Sequence, residues 1–296
     1  MSAILAKIAL VVLTSHALRV IGRAAGPRWG ALALGLPCTS AVALAGCGMD
    51  RGVSVSLDMA DHGLVGLVGA VALPLAFVEA ARRRHRLSVC VLASAVGYFF
   101  AVWLGQSLGL MVVGGRLGVA SLAALAGSGL AARLPASDPD EAKGRPPSHW
   151  QALALRTVVP IACLMAILAA GEVAGPTASG IVATFPGVGL TLLILTYLEN
   201  GPGTAIRLAR SVPSGVFGMV AFLGSFRTAS AQVGLGWGMA IGYLAALGVL
   251  AAVGLFGHRW SWPTFGLGGR AREQDRPPIW PRPGRTFFPG VEFLAA

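Results

Sequence analysis

The chain has 296 residues, of which 55% are hydrophobic and only 12% charged; the mean hydropathy is +0.72 and the formal net charge +11. That balance excludes an ordinary soluble domain and marks a polytopic membrane protein. The positive charge gathers between apolar runs rather than on them, which reads as cytoplasmic loops and not as a nucleic-acid surface.

Runs of about 17 to 25 apolar residues are long enough to cross a hydrocarbon core of about 30 Å as helices. They are uniformly apolar rather than alternating, which favours helices over a barrel. The first run, 3–18, is interrupted by Lys7. No basic segment precedes it and it has a counterpart at 151–170, so it reads as a span and not as a signal peptide. Further spans are expected at about 29–48, 62–81 and 87–105, with a Gly-rich fifth within 106–134 whose outer end is Arg116. A polar linker follows, PASDPDEAKGRPPSH, and then spans at about 151–171, 177–198, 212–226 and 233–256. The tail from Gly257 contains RPPIWPRPGR and is too proline-rich for a stable domain, so it is expected to be extended or disordered. The organisation is therefore a first membrane repeat (1–106), a linking helix with a cytoplasmic linker (107–150), a second repeat (151–256) and a basic tail (257–296).

The repeat is written in the sequence at an offset of 149 residues. Pro37, Asp50 and Gly52 fall on Pro186, Glu199 and Gly201, and Ala25-Gly26-Pro27 falls on Ala174-Gly175-Pro176. From Ala25 to Ala72 the register holds without a gap and gives 11 identities in 48 positions. The prolines and the acid-x-Gly carry the case, because they are not the common residues of the chain.

Lys and Arg placement orients the chain. The loop with Arg82, Arg83, Arg84 and Arg86 should be cytoplasmic, and counting outward places 19 of 23 cations inside. Only Lys7, Arg51, Arg116 and Arg227 fall outside. The scheme has nine spans, an outer N-terminus and an inner C-terminus. The fifth span then inverts the second copy relative to the first. Matched positions carry opposite charge, as inversion would demand: Asp58 and Asp61 align with Arg207 and Arg210, and Arg23 with Glu172. The expected fold is an all-α integral membrane protein, two four-helix repeats of inverted topology joined by a linking helix.

Several residues stand out chemically. Lys7 with Asp50 near the outer face, and Arg156 with Glu199 near the inner face, form two candidate intramembrane ion pairs. The plainer reading is that the cations snorkel and the acids end helices. Pro37 and Pro186 are candidate helix breaks that would expose backbone carbonyls, or else plain kinks. Asp58, Asp61 and His62 have loose spacing that the second copy lacks, so no metal site is expected. Cys38, Cys47, Cys90 and Cys163 lie inside apolar runs without CxxC pairing and read as small core residues. No Ser-His-Asp set, phosphate loop or zinc spacing occurs, so neither an enzyme nor a cofactor is expected.

A cation early in the first span (Lys7, Arg156), Leu36-Pro37 or Phe185-Pro186 in the second, and Asp50-Arg51-Gly52 or Glu199-Asn200-Gly201 thirteen residues on together resemble the GlpM inner-membrane protein family. Leu36, Asp50 and Asn200 depart from that family's pattern. Its members are short four-span proteins, so each half of this chain resembles one whole member, over 3–105 and 151–256. The resemblance implies an inner-membrane location and a tie to envelope polysaccharide production. Two functions are expected from all this. One is passage of a small solute or lipid-like intermediate across the bilayer at the interface of the halves. The other is a non-transporting scaffold whose partner is an envelope-polysaccharide protein.

Overall fold

A computed structural model describes residues 36–107, 115–134 and 147–256, with positions 9 and 13 besides. Lys7, nearly all of the first expected span, most of the linker and the tail lie outside these residues. The described residues form eight helices and no strand: α1 (Cys38–Arg51), α2 (Val53–Arg82), α3 (Leu87–Ser107), α4 (Arg116–Arg133), α5 (His149–Ala183), α6 (Gly187–Asn200), α7 (Pro202–Val233) and α8 (Leu235–Phe256). Five stretches among them, Val53–Arg82, Leu87–Ser107, Trp150–Ala183, Pro202–Val233 and Leu235–Leu255, are long and apolar enough to cross a membrane. The chain is thus a membrane-embedded helical protein.

Single glycines connect the helices. Gly52 joins α1 to α2, Gly201 joins α6 to α7, and Gly234 joins α7 to α8, all with φ between 83° and 98°. Gly175, inside α5, has φ 75° and ψ −171°, a conformation that residues with a Cβ essentially never adopt. The consequence is a reversal rather than a bend. Ser179 Oγ donates to Ile167 O at 3.0 Å, although twelve residues of straight helix would separate them by about 18 Å. Helix α5 is therefore a hairpin, a long first arm (149–174) and a short second arm (176–183). Ser148 and Gln151 start the first arm with a reciprocal capping box. Ser56 Oγ donates likewise to Leu44 O at 2.8 Å, so α2 folds back along α1.

The two longest glycine-connected helices, α2 and α7, form the centre and pack against each other. Phe222, Phe226, Leu67, Leu73 and Met59 are fully buried around them. A second cluster at one end joins Phe77, Val78 and Ala81 of α2 to Leu193 of α6 and to Ala205, Ile206 and Ala209 of α7, with Phe77 and Tyr197 edge to face at 6.3 Å. Helix α4 packs on both α2 and α7 through Ala120, Ala124, Gly127, Ser128 and Ala131. Helices α3 and α8 and the first arm of α5 turn Phe100, Trp103, Met165, Trp237 and Leu244 outward, as lipid-facing helices do.

Several boundaries differ from the sequence reading. Asp58 and Asp61 were expected in a loop but lie inside α2, which begins at Val53 and not near residue 62. Arg207 and Arg210 lie inside α7 for the same reason. Polar residues had been taken as loop markers, yet Asp61 and Arg210 have partners that let them sit on a packed helix. The plain-kink alternative for Pro37 and Pro186 is also corrected: each stands at a helix start.

Candidate functional site

Pro37 and Pro186 have the same backbone geometry, φ −80° with ψ 64° and 61°. That is the centre of an inverse γ-turn. The turn closes by Cys38 N–H donating to Leu36 O at 2.9 Å and Gly187 N–H donating to Phe185 O at 2.8 Å. Each proline then heads a helix of 14 residues. Having no N–H, proline loses nothing at the start of a helix, and its fixed φ suits the turn before it. The sequence from Pro176 to Asn200 is thus one discontinuous element: a short helix, a break at 184–186 and a second helix.

The start of α1 and the break at 184–186 meet. Ser40, in the first turn of α1, donates to Ala183 O at 2.6 Å, the last carbonyl of α5, and the contact is buried. Around it lies a cluster of hydroxyls. Tyr98 Oη, from α3, donates to Ile181 O at 2.6 Å and lies 3.1 Å from Thr184 Oγ1, close enough for either to donate to the other. Thr184 Oγ1 itself donates to Ile181 O at 2.9 Å. Tyr243, from α8, reaches Pro37 O at 3.5 Å. Ala183 O, at the end of α5, is thereby satisfied from an element distant in the chain, as buried backbone oxygens must be. Ile181 O and Pro37 O accept from Thr184 N–H and Ala41 N–H and are met by the hydroxyls in addition. Gly66 of α2 makes this possible: a Cβ there would collide with Thr184 Oγ1 and come within 2.9 Å of both Ile181 O and Tyr98 Oη. Phe185 closes one side, edge to face with Tyr98 at 5.0 Å and stacked on Phe99 at 6.2 Å.

From the crossing, α1 and α6 leave toward opposite ends of the first arm of α5. The far end of α1 is tied to Glu172 and to Gly171 O, at 3.1 Å, by Arg51. The far end of α6 is tied to Arg156, whose Nη2 lies 3.3 Å from Glu199 Oε1. Sixteen residues of helix, about 24 Å, separate Arg156 from Glu172. Of the four residues expected to form ion pairs, Arg156 and Glu199 are thus together. Asp50 is exposed near the end of α1, and Lys7 lies outside the described residues.

Sequence reasoning missed the ion pairs that involve other residues. At the Arg51 end of the bundle, Asp61 pairs with both Arg116 (2.7 Å) and Arg227 (2.9 Å), and His62 Nε2 lies 3.0 Å from Thr177 Oγ1. At the opposite end, Arg210 of α7 is buried and donates from Nε to Ala131 O at 2.8 Å and from Nη2 to Ala132 O at 3.2 Å. The charges divide unevenly. Among the described residues the first end has three arginines (51, 116, 227) against four acids (50, 58, 61, 172). The other has eight arginines (82, 83, 84, 86, 133, 156, 207, 210) against two acids (79, 199).

Comparison of the chain with protein families, with curated proteins and with solved structures finds no match.

Proposed function

We propose that the protein is a fused, inverted duplication in a bacterial-type inner membrane that passes a small solute, or a lipid-like intermediate, through the crossing of its two helix breaks. The observation that supports this best is the buried Ser40–Ala183 contact, where the start of one proline-headed helix meets the break before the other amid Tyr98, Thr184 and Tyr243 hydroxyls. Discontinuous helices meeting near mid-membrane are how many transporters present backbone polar groups to a solute. Fourteen-residue helices starting at that point extend about 20 Å each way, which suits a crossing near the middle of a bilayer.

Three observations support inversion. The paired helices α1 and α6 have equal lengths and matched proline and glycine ends, yet run to opposite ends of α5. The eight-arginine end suits the cytoplasm, with the acid-balanced end outside. The sign change between Asp61 and Arg210 follows the same division. The likeness to the GlpM family adds an envelope context and rests on the proline–acid–glycine spacing.

The competing scaffold reading draws on the aromatic and aliphatic packing between α2 and α7, which fills the space between the halves. Osmotic swelling of liposomes containing the purified protein separates the two. Protein-dependent entry of small polyols or small monovalent salts, lost in a Ser40→Val/Thr184→Val variant that still folds, supports transport. Absence of entry for every probe would sink transport and leave the scaffold.

A further inference from the structure

The two ends of the bundle are closed by different chemistry. At the arginine-rich end the halves meet through apolar side chains: Phe77, Val78 and Ala81 against Ile206, Ala205 and Tyr197. The pairs Arg156–Glu199 and Glu79 with Arg82 and Arg83 stay within one half, and Arg210 ties the second half to the linking helix. At the other end polar ties run between the halves. Arg51 of the first half holds Glu172 of the second, Asp61 of the first holds Arg227 of the second, and His62 meets Thr177. Arg116 adds the linking helix to the same carboxylate.

These ties stand over the crossing. Thr177 lies seven residues before Thr184 on the short arm of α5, a rise of about 10 Å. Asp61 and His62 lie one turn from Gly66, which touches the hydroxyl cluster. Their side chains are partly open to solvent, Glu172 at 73% and Arg227 at 51%, with Arg51, Arg116 and Asp61 between 26% and 34%. Ion pairs so exposed are held weakly and are screened by salt. An apolar closure of the kind at the arginine-rich end is neither.

Resting on the transport reading above, we propose that Arg51–Glu172 and Arg116–Asp61–Arg227 form a releasable gate. The gate is shut in this conformation, and it makes its end of the bundle the one through which the crossing is reached. The apolar closure at the arginine-rich end stays shut while the ionic one opens. The gate needs no ligand to open; it needs only that its pairs separate, as they do in a fraction of molecules set by their small stability.

Cys38, buried beside Pro37 at the crossing, is a built-in reporter. The test uses full-length protein in liposomes with Cys47, Cys90 and Cys163 replaced by alanine, and a small charged methanethiosulfonate as probe. Removing a tie with Glu172→Gln or Asp61→Asn should speed Cys38 modification by up to about fivefold, the most that loss of an exposed ion pair gives to a two-state equilibrium. Raising the salt concentration should speed the parent in the same direction. The exchange Arg51→Glu/Glu172→Arg should return the rate toward the parent. A matching protein retaining only Cys90, which is fully buried away from the crossing, should stay unreactive throughout and so report that the fold is intact.

Measurable Cys38 labelling that no tie-breaking variant or salt alters would overturn the gate and leave the transport reading standing. An exchange variant as fast as the single variants would also overturn it, since loosening and not pairing would then set the rate. No labelling of Cys38 in any variant would remove both the gate and the crossing it guards.

Discussion

Ser40 and Ala183 are 143 positions apart and share a buried hydrogen bond of 2.6 Å between the first turn of one helix and the last carbonyl of another. It joins the start of α1 to the break between α5 and α6. Removing the donor leaves Ala183 O buried without that partner, which costs about 1–3 kcal/mol. Ser40→Ala should therefore lower the thermal unfolding midpoint in detergent, whereas Ser54→Ala, at an exposed position of α2, should not. Equal midpoints for the two variants would mean the contact contributes nothing.

Gly66 admits the hydroxyl cluster, so Gly66→Ala should destabilise the fold even though alanine favours helix. Because the nearest atom is Thr184 Oγ1, the Gly66→Ala/Thr184→Ala double variant should lose less than the sum of the two single changes. A non-additivity of about 0.5 kcal/mol or more in a chemical-unfolding cycle is the expected result, and strict additivity would contradict the packing.

The reversals at Gly52 and Gly175 have open space where a Cβ would go, so any penalty there belongs to the backbone alone. Gly175→Ala should cost about 1–3 kcal/mol from its conformation. Gly118→Ala and Gly129→Ala, also in open space but inside helix α4, should instead be neutral or stabilise by up to about 1 kcal/mol. Opposite signs in one unfolding assay would establish the distinction; like signs would defeat it.

Arg156 and Glu199 close the α5–α6 pair at a partly exposed site. Glu199→Gln should destabilise by about 0–1 kcal/mol, and Arg156→Glu/Glu199→Arg should recover part of what Arg156→Glu alone loses. Recovery no better than additivity would show that the two side chains lie together without supporting each other.

Much of the frame was legible because backbone-determining residues are rare in so apolar a chain. The matched prolines and the acid-x-Gly stood out, although the prolines were read as breaks or kinks within spans and Gly52 and Gly201 were not read as reversals. Ala174-Gly175-Pro176 contained a third reversal and was visible as an identity with Ala25-Gly26-Pro27. The contacts of Ser40, Tyr98 and Arg51 were not legible, because each joins elements that sequence spacing does not relate. One signal was available and unused. Arg51, Arg116 and Arg227 had been placed on the outer side against the general trend, and a cation so placed calls for a nearby acid. Asp61 and Glu172 were the acids at hand. Reading them as loop charges hid both the pairs and the true start of α2.

Helix α4 holds a further consequence for how the protein is made. Asp61, near its amino end, is synthesised before it, and Arg210, which caps its last carbonyls, is synthesised after it. As the chain emerges, Asp61 can dock Arg116 at once, but Ala131 O and Ala132 O lack their arginine until α7 has entered the membrane. A nascent chain halted before residue 210 therefore carries a linking helix fastened at one end only. The second half thus ties down the carboxyl end of the segment that delivered it.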